Sequence, residues 1–171
     1  NSKLAPAERD RLLREAAAQR RQRDEERNRA HRAGKELAQS QWAAAGPVSA
    51  DHPYLIRKAL PGLGIRQRGP LLAVPLVDAA GDIWSIQTIA ADGSKRFLKG
   101  ARKSGLYCPI AWPSGKLTEL HICEGWATGA AIHEMTGAPV AAAMDCGNLQ
   151  TAAQTIRTRW PHLPLTFCAD H

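Results

Sequence analysis

Three acidic residues stand where short apolar runs end: Glu124 after Leu117–Cys123, Asp145 after Pro139–Met144, and Asp170 after Leu163–Ala169. By their numbers they are 21 and 25 residues apart, the length of one strand-plus-helix unit each. Carboxylates gathered on one rim repel one another and desolvate badly, so they need a cation or a proton between them. Mg²⁺ (or Mn²⁺), held by one or two carboxylates while bridging to phosphates, meets that need. Any one of the three alone reads as a solvated or capping loop residue. Three in register favour the metal reading.

The elements that must position them are legible in residues 117–171. Leu117–Cys123 reads as a short strand and Trp126–Met135 as a helix whose Ala127, Ala130 and Ala131 allow close packing. Pro139–Met144 is a second strand of Val and Ala, as expected where both faces are covered. Leu149, Ala152, Ala153, Ile156 and Trp160 fall at helical spacing behind Asn148 as N-cap, and Leu163–Ala169 is a third strand. This alternation predicts a parallel sheet with right-handed crossovers, and ligands bind beyond the C-terminal ends of such strands.

Residues 51–116 read as a small α+β unit. Asp51-His52-Pro53 opens a short helix through Lys58, closed by Pro61-Gly62. Leu71–Val77 and Ile83–Ile89 are β-rich runs joined by the turn Asp78-Ala-Ala-Gly81, and Asp92-Gly93 turns the chain into Arg96-Phe97-Leu98. Pro75 predicts an edge or a bulge in the first run. From about Pro6 to Ala45 the chain is rich in Ala, Arg, Glu and Gln, with no large aliphatic residue between Leu13 and Leu37. A long exposed helix without a coiled-coil seam follows, anchored at its C-terminal end by Leu37 and Trp42 and stopped by Gly46-Pro47.

Charge is graded along the chain. Its 171 residues carry 23 Lys and Arg against 16 Asp and Glu, for a net charge of +7. The excess sits in residues 1–45 and 57–103, whereas residues 116–171 are net acidic. Arg66, Arg68, Lys95, Arg96, Lys99, Arg102 and Lys103 are the candidates for a nucleic-acid-binding tract, with a plain solvated face as the other reading. Trp84 or Phe97 could stack a base, or fill the core of the meander. No apolar run approaches the roughly 20 residues needed to span a bilayer, and no secretory pattern opens the chain. Four scattered cysteines, Cys108, Cys123, Cys146 and Cys168, argue against a zinc ribbon or disulfide scaffold and suit a reducing cytoplasm.

Leu120-His-Ile-Cys-Glu-Gly-Trp-Ala-Thr128, Asp145-Cys-Gly-Asn-Leu149 and Phe167-Cys-Ala-Asp170 together resemble the Toprim domain, in particular that of plasmid- and phage-borne, TraC-like DNA primases. His52-Pro-Tyr-Leu55, Val74-Pro-Leu76, Ser85-Ile-Gln87 and Gly105-Leu-Tyr107 resemble the region preceding it in those proteins. The resemblance covers about residues 51–171, as a small α+β subdomain over 51–116 and a Toprim domain over 117–171; the basic helical arm or linker over residues 1–46, read from composition, lies outside it. The resemblance also implies a Mg²⁺-dependent nucleotidyltransferase that makes RNA primers on single-stranded DNA from ribonucleoside triphosphates, in plasmid or phage replication or conjugation. Glu124 matches the family's first acidic residue and Asp170 the first Asp of an Asp-x-Asp whose second member would be residue 172, so the domain is expected to continue beyond His171. In that scheme Glu124 and Asp170 are metal ligands, Glu124 alternatively accepts the 3′-hydroxyl proton, and Asp145 is a third ligand or orients one. A helicase or relaxase would be a further partner, and none is expected in a membrane. Two other readings use the same rim: a Mg²⁺-dependent nuclease, and a non-catalytic module that docks nucleic acid or a helicase.

Overall fold

The computed structural model describes residues 6–168. The chain is mixed α/β: a long N-terminal helix, an antiparallel sheet, and a mixed sheet with flanking helices. Helix α1 (Pro6–Ala43) is followed by α2 (Pro53–Lys58) and by strands β1 (Arg66–Arg68), β2 (Leu71–Val77), β3 (Ile83–Ile89) and β4 (Lys95–Phe97). Next come β5 (Cys108–Ile110), β6 (Leu120–Cys123), α3 (Trp126–Thr136), β7 (Val140–Ala142), a 3₁₀ turn (Cys146–Asn148), α4 (Leu149–Arg159) and β8 (Leu165–Cys168).

The first sheet has the order β1-β2-β3-β4, antiparallel throughout. Leu72, Val74, Leu76 and Ile89 face the core shared with α2 and the second sheet, while Ala73 and Ile86 face α1. Burial on both faces explains why Leu71–Val77 is almost continuously apolar rather than alternating. Pro75 is tolerated because β1 pairs only as far as Ala73, and a register shift follows between Leu76 and Val77. The strand is therefore an open edge at the proline, with a bulge beside it, as its missing N–H requires.

Helix α1 is seated on that sheet by its last turns only. Residues 7–30 are exposed throughout, whereas Gly34 and Ala38 are buried against the sheet and the loop that follows β4. Leu37, the anchor expected from sequence, faces solvent at 48% exposure. The close approach selects small residues instead: Gly34 lies so near Ala101 that a Cβ would stand 2.7 Å from its Cα. Trp42 does serve as an anchor, packed against the Ala38–Ala73–Ile86 cluster. Beyond the helix, Gly46 pairs with Gln67 on the outer edge of β1.

The second sheet has the order β5-β7-β6-β8. Strands β7, β6 and β8 are parallel, as the strand–helix alternation predicts, and β5 adds an antiparallel strand at the β7 edge. Helix α3 lies close on the sheet because Gly129 faces Ile110, Cys123 and Val140, where a Cβ would come within 2.6 Å of the Ile110 side chain. Trp126, 1% exposed, donates its indole N–H to the Leu63 carbonyl at 2.9 Å. The sheets meet where Val77 and Tyr107 exchange backbone hydrogen bonds of 2.8 and 3.1 Å. One apolar cluster then runs from Leu72 and Val74 through Ile110 to Val140 and Trp126. No helix among the described residues is long and apolar enough to cross a membrane.

Candidate functional site

Parallel register brings the ends of three strands to one rim, with Cys123 level with Ala142 on one side and Cys168 on the other. Glu124 is the first residue beyond β6, half-exposed, at the extended Gly125 that precedes α3. Asp145 lies three residues beyond β7. Between them Met144 is buried with φ +73°, a conformation costly for a side chain that size, and it turns the chain sharply from Ala143 into the 3₁₀ turn. Asp170, two residues past the end of β8, lies outside the described residues.

The turn after Asp145 is held by Asn148. Predicted as an N-cap, it makes no side-chain capping bond. Its side chain is 4% exposed, and its Nδ2 donates to the carbonyls of Leu106 and Ala143, both at 2.8 Å. Its Oδ1 accepts from the Gly105 amide at 2.8 Å and the Thr151 hydroxyl at 2.7 Å. All of the amide's hydrogen-bonding positions are thus used. They tie the rim turn to the segment entering β5. That same segment supplies Lys103, whose ammonium forms an ion pair with Asp145 and lies 4.9 Å from the Phe97 ring centroid. The pairing offsets the charge of one rim carboxylate with a residue that sequence reading assigned to nucleic acid.

The other basic candidates are dispersed. Arg66 is half-buried, donates to the Trp42 carbonyl at 2.8 Å and stacks over its ring at 4.5 Å, which fastens the end of α1. Arg68 is exposed on edge strand β1, and Lys95 and Arg96 on the opposite edge strand β4, so three strand spacings, about 14 Å, separate them. Lys99 is exposed on the loop after β4. Arg102 lies 4.4 Å from the Trp84 ring centroid, and Lys35 of α1 lies 4.5 Å from it. Burial lowers the Arg102 pKa, and nearby Asp78 counters it.

Trp84 is therefore engaged rather than free to stack a base. Its indole N–H donates to Asp78 at 2.8 Å. Burial pushes the Asp78 pKa up, but bonds from Trp84 and the Asp82 and Ala80 amides, with the charge of Arg102, hold the carboxyl below its ordinary value. Phe97 is 36% exposed. His52 is 3% exposed: its Nδ1 accepts from the Tyr54 amide and its Nε2 faces the Pro70 carbonyl at 3.1 Å. It caps α2.

Glu124 and Asp145 offer hard oxygen donors, the kind that suit Mg²⁺ or Mn²⁺. Cys108 and Cys123 are buried among apolar side chains, and burial, then Cys123, raises the Cys108 thiol pKa far above its ordinary value. Among the described residues no group of three His, Cys, Asp or Glu is placed to hold a metal ion. Glu124 and Asp145 by themselves supply the donor type but not a complete ligand set.

No family model matches the chain. Over 98% of its length it is 35% identical to a protein of Escherichia coli named DNA primase TraC, of which it covers 16%. It is 32% identical, again over 98% of its length, to a second E. coli protein of that name, of which it covers 12%. The chain thus spans less than a fifth of the curated relatives it matches.

Proposed function

We propose that this chain is part of a DNA primase that joins ribonucleotides into short primers on single-stranded DNA, and that its second sheet is a Toprim-type nucleotidyltransferase module. The parallel register that puts Glu124 and Asp145 on one rim carries the reading, and similarity to two proteins named DNA primase TraC supports it. Plasmid replication or conjugation is the setting that goes with it.

In this reading Glu124 and Asp170 hold Mg²⁺, with Asp145 as a further ligand or as the group that orients one. The bound ion would neutralise nucleotide phosphates and so make a rim of carboxylates compatible with a polyanionic substrate. In the alternative scheme Glu124, half-exposed at the head of α3, leaves the metal to Asp170 and accepts the proton of the attacking 3′-hydroxyl. Lys103 occupies Asp145 as a counter-charge and stands where an incoming phosphate would compete for it. Asn148 holds Lys103's segment and the Asp145 turn in fixed relation.

The test uses the longer natural protein that contains this chain, incubated with labelled ribonucleotides, Mg²⁺ and single-stranded circular DNA. Labelled oligomers are expected from the wild type, and Glu124→Gln should reduce them by at least about a hundredfold without lowering the unfolding midpoint. Degraded template with no labelled oligomer would turn the assignment to a nuclease.

A further inference from the structure

The exposed part of α1 has no packing reason to exist: residues 7–30 touch nothing that buries them, over about 36 Å of helix. Intrahelical pairs such as Arg11–Glu15 at 3.6 Å and Asp24–Arg27 at 2.8 Å help to keep it helical. Its glutamates are nevertheless confined to one face. At about 100° per residue, all five glutamates (Glu8, Glu15, Glu25, Glu26 and Glu36) fall within an arc of roughly 100° turned away from the sheet side. Arg9, Arg20, Arg23 and Arg27 fall within about 60°, on the line that Gly34 and Ala38 continue into the sheet contact. Asp10 and Asp24 lie on the flank. Arg11, Arg14, Arg21, Arg29 and Arg32 lie on or beside the glutamate side, where carboxylates offset them, so the sheet-side line is distinguished by carrying arginine without glutamate.

The arginine row leads to a second basic element. Where α1 reaches the sheet, His31 is held below its ordinary pKa by burial and then by the charges of Arg27 and Arg102, one from the helix and one from the loop beneath it. That loop carries Lys99 and, next to Arg102, the Lys103 that pairs with Asp145. Among the described residues Arg20, Arg23 and Lys99 form no ion pair.

We propose that the sheet-side face of α1, through Arg20, Arg23 and Arg27, binds the phosphate backbone of single-stranded DNA and delivers it past Lys99 to the carboxylate rim. The inference rests on the primase reading for the identity of the polyanion. The facing of the arginines comes from the helix itself. Phosphates spaced along a strand match a row of cations repeating about once per helical turn. The sequence-independent attraction that follows is salt-dependent.

Fluorescence anisotropy with a labelled single-stranded 20-mer tests this on the intact chain. Gln substitution keeps helix propensity, so R20Q/R23Q/R27Q removes the row while circular dichroism checks that helicity is kept. The expected result is at least tenfold weaker binding at 0.1 M salt and a salt slope shallower by about 2, for three lost phosphate contacts. R11Q/R14Q/R29Q removes as many charges from the other faces and should change affinity by less than about threefold. Equal losses in both variants, or wild-type binding by R20Q/R23Q/R27Q, would overturn the proposal. Wild-type binding by R20Q/R23Q/R27Q with primer synthesis intact in the longer natural protein would overturn the arm alone, whereas absence of primer synthesis by the wild-type longer protein would overturn the primase reading.

Discussion

Asn148 shows how much a single side chain contributes to the site without touching any substrate. It is buried, it satisfies backbone groups of Gly105, Leu106 and Ala143, and it thereby sets the distance between Lys103 and Asp145. Asn148→Ala would leave an amide and two carbonyls buried without partners. With each costing about 1–3 kcal/mol less whatever water can recover, a net loss of about 3 kcal/mol is expected, read as a lower urea midpoint at unchanged m-value. The sequence marks Asn148 only as a helix-cap type, because capping is the local role of Asn and its actual acceptors lie 42 and 5 residues back. Lys103 is likewise legible as basic but not as the partner of Asp145. Glu124 needed less: a carboxylate after an apolar strand and before Gly125 is placed on the rim by strand direction alone.

Among the elements, α1 is the one whose role differs most from its appearance in sequence. Its composition predicts the exposed helix that is found, but the seat on β3 depends on Gly34 and Ala38, small residues that no apolar stripe announces. Gly34→Ala offers a sign test. In an exposed helix the change stabilises by about 1 kcal/mol; here the new Cβ would meet Ala101 backbone at 2.7 Å and force helix and loop apart. We expect destabilisation of about 1–2 kcal/mol, with faster amide exchange in residues 34–43 and 98–103. The longer strands Leu71–Val77 and Ile83–Ile89 coincide with their apolar runs. The three-residue strands β1 and β5 carry no readable period in sequence and are recruited by neighbouring edges.

At the scale of the molecule, a shared core and a free helix should unfold differently. The Leu72–Val74–Ile110–Val140–Trp126 cluster joins both sheets, so tryptophan fluorescence should report one sharp transition. Residues 7–30 lack tertiary support, and short of that support helices melt gradually. Circular dichroism at 222 nm is therefore expected to decline steadily before the fluorescence midpoint; coincident sharp curves would show that α1 is held along its whole length. The same asymmetry organises charge. The +7 of the sequence resolves into a basic arm and loop that approach an acidic rim, joined at Lys103 and Asp145.

Strand–helix alternation, turn chemistry and the order of carboxylates along the chain were settled by sequence, because periodicity and backbone preference act over a few residues. Those features suffice to predict a parallel sheet with Glu124 and Asp145 on one rim. Tertiary structure alone decided which basic residues remain free. Arg66 is spent on Trp42, Arg102 on Trp84 and Lys103 on Asp145, while Arg68 and Lys95 are carried to opposite sheet edges. Such partners lie tens of residues apart, 24 for Arg66 and Trp42 and 43 for Asn148 and Gly105. Their meeting depends on how sheets and helix pack, a property of the assembled core that no local stretch of sequence contains.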